Sequence, residues 1–143
     1  MISVNEDETY TAIHMRSKDE FSLNWTSQIL IWDTKESYKQ TDPEQFLLVG
    51  QIELDCINLS CMGFFRTDNT KIIQDKNEAK YNDYLWYMTN KNKYLTKEKN
   101  QEQFCLFSLV DNKIIYTKDV ELRAEVDNII FDEPNTNVYI VDK

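Results

Sequence analysis

The last third of the chain alternates short apolar runs with polar turn residues, a pattern typical of an antiparallel β-meander. Residues 104–110 are apolar at every position except Ser108, which favours a strand covered on both faces. Asp111-Asn112 tolerates the positive φ of a tight turn, so it predicts a hairpin into a second strand over 113–117.

The alternation continues towards the C-terminus. Residues 120–126 alternate apolar and charged side chains with a period of two, which predicts a strand with one wet face. Asp127-Asn128 then predicts a turn before a strand over 129–131. Pro134 lies in a polar segment that ends this strand, and residues 138–141 form the last predicted strand.

The first half of the chain also reads as strands. The segments predicted as strands are 10–15, 21–25, 28–32, 46–55 and 57–65, with a further hairpin strand over 71–73. Residues 16–20 are predicted as a turn and residues 34–44 as a loop, because the latter lack apolar periodicity and contain Asp42-Pro43. Gly50 lies where the apolar pattern of its strand changes, which indicates a β-bulge.

One segment has a helical period instead. Tyr81, Tyr84, Leu85 and Met88 are spaced i, i+3, i+4 and i+7, which predicts an amphipathic helix over about 78–90 capped by Asn77. Residues 96–103 are polar and are predicted as a linker. The expected fold is therefore mainly β or α+β, an antiparallel meander sheet or sandwich with one helix packed on a face.

Length and composition limit the possible functions. A chain of 143 residues predicts a single domain spanning 1–143. Its two glycines are too few for a phosphate-binding loop or a dinucleotide fingerprint. The acidic N-terminal segment does not resemble a signal peptide, and no apolar run is long enough to cross a membrane. We therefore expect a cytoplasmic protein whose cysteines are free thiols.

The net charge of −9 is unevenly distributed. Residues 1–55 carry 11 acidic and 4 basic side chains, residues 56–103 carry 6 and 8, and residues 104–143 carry 8 and 4. Such a field repels nucleic acid and anionic membranes, whereas it attracts basic partners.

Catalytic and metal-binding residue sets are sparse. His14 is the single histidine and lies in a predicted strand without a surrounding motif, so an ordinary sheet-face histidine is the favoured interpretation over a base or ligand. Cys56, Cys61 and Cys105 could join His14 in a zinc site, but their spacing is outside the usual pattern of paired ligands. Cys105 could act as a nucleophile, but it would need a histidine nearby and the chain has a single one. We expect no catalytic residue, metal or cofactor.

Aromatic and basic residues come together around the predicted helix, where they could stack single-stranded bases. They are Tyr81, Tyr84, Trp86 and Tyr87 with Lys80, Lys91 and Lys93. Because the whole chain is strongly acidic, a helix packed on a sheet with a lysine rim is the favoured interpretation.

Acidic residues of the first 55 positions are the strongest functional signal. Carboxylates surrounding aromatic anchors are typical of an electrostatically steered interface with a basic protein, although solubility alone also explains many acidic surfaces. The predicted partner-binding residues are Glu6, Asp7, Glu8, Asp19, Glu20, Trp25, Trp32, Asp33, Glu36, Asp42, Glu44, Glu53 and Asp55. Glu53 and Asp55, as paired carboxylates, are expected on a solvated strand face and not in an acid–base pair.

In size, acidity and lack of catalytic motifs, the chain resembles the small immunity proteins that bacteria pair with secreted or contact-dependent toxins. The resemblance implies a non-enzymatic inhibitor that binds and neutralises a basic toxin domain such as a nuclease. It transfers no site residue, because no motif matches. The alternatives are an acidic secretion or assembly chaperone that binds a partner segment, and an enzyme that uses His14 or a cysteine.

Overall fold

Ten antiparallel strands and one short helix make up the residues that the computed structural model describes, namely 1–21, 25–39, 47–54, 59–68, 81–90, 100–124, 126–132 and 137–143. The first sheet contains β1 (Ile2–Val4), β2 (Tyr10–Lys18), β3 (Trp25–Asp33) and β4 (Leu48–Leu54). The second contains β5 (Leu59–Asp68), β6 (Tyr81–Asn90), β7 (Asn100–Ser108) and β8 (Lys113–Leu122). Helix α1 (Thr34–Tyr38) follows β3, and β9 (Val126–Asp132) pairs with β10 (Asn137–Asp142).

Each four-stranded sheet pairs its strands in chain order, which confirms the predicted mainly β class with antiparallel sheets. Meander order follows from the sequence because short turns between apolar runs place neighbouring strands side by side. The turn at 109–112 joins β7 to β8, and Asn112 has the positive φ of 52° that its hairpin position requires.

The inner face of the first sheet packs against the second sheet. Ala12, Ile29 and Ile31 are fully buried there, because alternate side chains of β2 and β3 point towards the interior. The whole cluster is Ala12, Ile29, Ile31, Ile52, Leu59, Met62, Leu85, Tyr87, Cys105 and Phe107.

The opposite face of the second sheet packs against the β9–β10 hairpin. Met88, Phe104 and Leu122 are its buried residues, and Phe131 stacks on Phe65 with ring centroids 4.4 Å apart. The second sheet is therefore a middle layer that is covered on both faces, the first sheet lying on one side and the hairpin on the other.

The predicted helix over 78–90 is wrong for residues 81–90, which form β6; residues 78–80 lie outside the described residues. Leu85 and Tyr87 point to the first core cluster, whereas Met88 and Trp86 point to the second. Burial on both faces spreads apolar residues over both parities of a strand, and this spread imitates the helical spacing. Tyrosine, tryptophan and threonine favour strands, and β6 is hydrogen-bonded on both edges.

One predicted strand break and one predicted turn are also wrong. The segments 113–117 and 120–126 were predicted as separate strands, but β8 runs without a break to Leu122. Asp127 and Asn128 lie inside β9, so the chain reverses one turn earlier than predicted. The local sequence pattern does not determine where β8 ends, because the end depends on pairing over the full length of β7.

The first half differs in similar ways. Residues 16–18, predicted as a turn, continue β2, and Trp25 begins β3 instead of ending a separate strand; residues 22–24 lie outside the described residues. The segment 34–38, predicted as loop, is helix α1, because Asp33 accepts a hydrogen bond from the Glu36 amide at 2.8 Å and caps it. The bulge predicted at Gly50 is confirmed by the register shift next to it.

Strand β7 begins at Asn100, so the predicted linker over 96–103 is wrong for its last four residues. The predicted strand over 71–73 and the rest of the linker lie outside the described residues, as do Cys56, Lys80, Lys91 and Lys93.

Candidate functional site

One end of the first sheet gathers five of the acidic residues predicted to bind a partner. The 5–9 turn lies beside the start of α1, where the Thr34 amide donates to the Thr9 carbonyl at 2.7 Å. Pairing of Tyr10 with Asp33 fixes this arrangement. The residues brought together are Glu6, Asp7, Glu8, Asp33 and Glu36, which we call the acidic end.

Three other predicted residues lie far from the acidic end. Asp19, Glu20 and Trp25 lie at the opposite end of β2 and β3, roughly 25 Å away along nine-residue strands. Trp25 has Arg16 5.3 Å and Lys18 5.9 Å from its ring centroid, so its surroundings are basic. Asp42, Glu44 and Asp55 lie outside the described residues. The predicted residues that the structure describes therefore do not share one face.

Internal contacts occupy part of the acidic end. Arg66 donates to both carboxylate oxygens of Asp83, at 2.9 and 3.1 Å, and it also contacts Asp7 Oδ1, at 3.1 Å. Hydrogen bonds from Thr9, together with Arg66, hold the pKa of Asp7 well below its usual range, and the two carboxylates raise the pKa of Arg66. Asp7 thus links the 5–9 turn to the second sheet.

Glu6 and Glu8 are the acids of this end that have no salt bridge or capping role among the described residues. Asp33 caps α1, and Glu36 contacts Lys39. Glu6 and Glu8 form no salt bridge within the described part of the chain, and both lie in the exposed 5–9 turn. Their charges are directed to solvent, where they can attract a basic partner.

The outer face of the first sheet is apolar and exposed. Register places Ile2, Ile13 and Leu30 in one row across three strands. A second row contains Trp32 and Leu48, which pair directly across β3 and β4. These rows and their apolar neighbours form a surface that we call the outer patch. It consists of Ile2, Val4, Ile13, Met15, Leu30, Trp32 and Leu48.

Exposure and charge distinguish this patch from an ordinary sheet surface. Ile2 is 67 % exposed, and Val4, Met15 and Leu48 are close to half exposed. The described strands place no lysine or arginine on this face, and their single charged side chain on it is Glu53 at the β4 edge. A contiguous exposed apolar patch with polar neighbours is typical of a protein-binding surface.

The sequence analysis found Trp32 of this patch but missed the rest. A signal was present: residues 29–32 are apolar at four successive positions, so an alternating strand must place apolar side chains on both faces. The structure covers only the inner face of this strand, so Leu30 and Trp32 lie on the uncovered face.

His14 lies on the inner face of the first sheet beside Ser27. His14 Nε2 and Ser27 Oγ share a hydrogen bond at 2.7 Å, a distance that would suit a base and its nucleophile. However, Ser27 is only 4 % exposed, and burial lowers the pKa of His14. Among the described residues no carboxylate hydrogen-bonds to the His14 ring, so the orienting third group of a catalytic triad is lacking there.

Both cysteines that the structure describes, Cys61 and Cys105, are at least partly shielded from solvent. Burial, with Glu102 nearby, raises the pKa of Cys61 to about 11, so this thiol stays protonated at neutral pH. Cys105 is 3 % exposed, and its thiol contacts Gln103 Oε1 at 3.8 Å. No cluster of three potential metal ligands occurs in the described ranges.

Glu102 is a buried carboxylate on the middle sheet. Ser60 Oγ lies 2.8 and 2.7 Å from its two oxygens and donates a hydrogen bond to it. Glu102 is 5 % exposed, and burial raises its pKa. This pair satisfies a buried acid but lacks a histidine or metal partner within the described residues.

Two aromatic residues of β6, Tyr87 and Trp86, are unsuited to stacking on bases. Tyr87 is 2 % exposed, and Trp86 packs against Phe131 of the hairpin. Base stacking requires open ring faces, so Tyr87 and Trp86 are not available to stack on nucleic-acid bases.

Fold and surface together define a layered antiparallel β-protein with an exposed apolar sheet face beside an acidic turn. Comparison of the chain with protein-family models, with curated proteins and with solved structures found no match. Helix α1 spans five residues, and none of the described helical structure is long and apolar enough to cross a membrane.

Proposed function

We propose that the chain is a non-enzymatic inhibitor of the immunity type, which binds and neutralises a basic toxin domain, a nuclease, in the bacterial cytoplasm. The outer patch supplies the apolar centre of the interface, and Glu6, Glu8 and Glu53 supply acidic groups at its borders. Neither nucleic acid nor membrane is a partner in this proposal, and no cofactor is required.

The outer patch is the observation that carries the proposal. A protein interface needs a desolvated apolar centre with an aromatic anchor, and Trp32 beside Leu48 offers one. No lysine or arginine of the described strands lies on the patch face, so the acidic borders are unopposed there, which suits a cationic partner surface. Immobile β-strands hold these groups in one geometry before binding, which reduces the entropic cost of association.

The test is a capture from the native host at low salt, followed by identification of the bound protein and an assay of its nuclease activity. We expect one cationic domain, inhibited by the chain, whose association rate falls steeply as salt rises. Trp32→Ala should weaken binding by at least about 2 kcal/mol, the usual loss at an aromatic hot spot.

A matched pair of charge reversals separates the acidic turn from net charge. Glu6→Lys with Glu8→Lys should slow association markedly. Asp19→Lys with Glu20→Lys changes the net charge equally but lies at the far end of the sheet, so it should have little effect. Equal effects of the two pairs would contradict docking at this end, and capture of an unfolded segment would favour the chaperone instead.

A further inference from the structure

A cleft separates the exposed edge of the middle sheet from the hairpin. Its volume is about 440 Å³, within the range of roughly 300–1,000 Å³ that small-molecule sites occupy. The floor comes from β7 and β8, and the wall comes from β10. The lining residues are Phe104, Leu106, Tyr116, Lys118, Val120, Asn137, Val138 and Ile140.

Register explains why these side chains converge. Leu106 pairs with Tyr116 and Phe104 pairs with Lys118, so these four side chains point to the same face of the second sheet. Val138 pairs with Phe131 and points to the same interior. Phe131 packs on Phe65 at the opposite side of that face, so β9 contacts the sheet there. The space between β10 and β8 stays open.

Three of the lining side chains carry polar groups, and each can donate a hydrogen bond. Lys118 brings an ammonium group, Asn137 an amide and Tyr116 a hydroxyl. Lys118 forms no salt bridge within the part of the chain that the structure describes. The cleft therefore combines apolar walls with a cation, although the protein as a whole is acidic.

We propose that this cleft binds a small amphipathic anion, a molecule with an unbranched apolar body and one carboxylate. The apolar body lies between Leu106 and Val138, and the carboxylate accepts hydrogen bonds from Lys118 and Asn137. This site lies on the middle sheet and the hairpin, whereas the outer patch lies on the far side of the first sheet, so the inference does not depend on the proposed function.

Decanoate, used below its micelle concentration, is the probe, with decanol and decyltrimethylammonium as neutral and cationic molecules of the same tail length. Titration calorimetry on the full chain should show saturable binding of decanoate, weaker binding of decanol, and the weakest binding of the cation. Lys118→Met keeps an apolar stem but removes the charge, so it should weaken decanoate binding roughly three- to fivefold, as for a partly exposed ion pair. It should leave decanol unchanged.

Lys113→Met is the control, because Lys113 lies on the same strand but does not line the cleft. It should bind decanoate like the parent chain. Amide chemical shifts should move in β7, β8 and β10. Shifts confined to β1 and β2 would place the anion on the outer patch and overturn the proposal, as would equal affinity for decanoate and decanol or an absence of saturable binding.

Discussion

At the scale of single residues, Glu102 stands out because a carboxylate is almost fully buried beside one hydroxyl donor. Burial disfavours its charged form, and the hydrogen bond from Ser60 only partly offsets this cost. A raised pKa means that the folded state prefers the protonated acid. The stabilising contribution is therefore present at pH values below the ordinary pKa of about 4.3 and is lost as pH rises through the folded value.

Glu102→Gln should raise the free energy of unfolding by roughly 1 kcal/mol at pH 7, because it removes a buried charge and keeps an acceptor for Ser60. The gain should vanish as pH falls below about 4.3, where the parent side chain is also neutral. Urea unfolding at a series of pH values measures both effects. Glu53→Gln, at an exposed position, is the control, and an advantage of Glu102→Gln that persists at low pH would contradict the assignment.

Single residues also show which local features can be predicted from the sequence. Asp111-Asn112 predicted its hairpin correctly because the positive φ is a local requirement. Asp127-Asn128 has the same chemistry but lies within β9, where Asn128 pairs with Val141 of β10 and Asp127 lies at a register shift. The buried state of Glu102 could not be foreseen, since its neighbours Gln101 and Gln103 give it a polar setting in sequence.

At the scale of elements, the docking of the hairpin depends on a close contact between β5 and β6. Gly63 pairs with Trp86, whose ring lies over the glycine on one side and against Phe131 on the other. A side chain at Gly63 would displace the indole that supports the hairpin. Of the two glycines of the chain, this one is required by a close approach and not by a positive φ.

Gly63→Ala should lower the free energy of unfolding by about 1–3 kcal/mol, because the new Cβ would lie 2.6 Å from Trp86 Cζ2. Hydrogen exchange should rise in β9 and β10 before it rises in the first sheet. Gly50→Ala is the matched control, because its nearest contact, Ile31 Cδ1, lies 3.2 Å from the Cβ position and is the end of a flexible side chain. A larger loss for Gly50→Ala would contradict this account.

At the scale of the whole molecule, Arg66 links the second sheet to the turn after β1 through charged contacts. Asp83 and Arg66 belong to the second sheet, whereas Asp7 belongs to the turn after β1. The Arg66 side chain is 18 % exposed and that of Asp83 is 10 % exposed, so this pair is shielded from solvent. Removal of one member leaves the other charge poorly compensated.

Asp83→Asn should therefore lower the free energy of unfolding by roughly 2–3 kcal/mol, the Arg66–Asp7 contact limiting the loss. Asp7→Asn should cost less, about 1 kcal/mol, because Asp7 is 43 % exposed and solvent screens its charge. Denaturant titration of both variants checks the order. Equal losses would show that Arg66 depends on both acids alike.

The sequence alone determined the mainly β class, the strand-rich C-terminus, the 111–112 hairpin and the bulge at Gly50, because these follow from alternation and from local turn chemistry. Tertiary structure decided that residues 81–90 are a strand, which acids share an end, and which apolar face stays open. Those outcomes depend on pairing and covering by segments distant in sequence. A strand that is covered on both faces loses its period of two. A strand such as β3, which is covered on one face but also carries apolar side chains on the other, loses it as well, so the sequence does not distinguish the two cases.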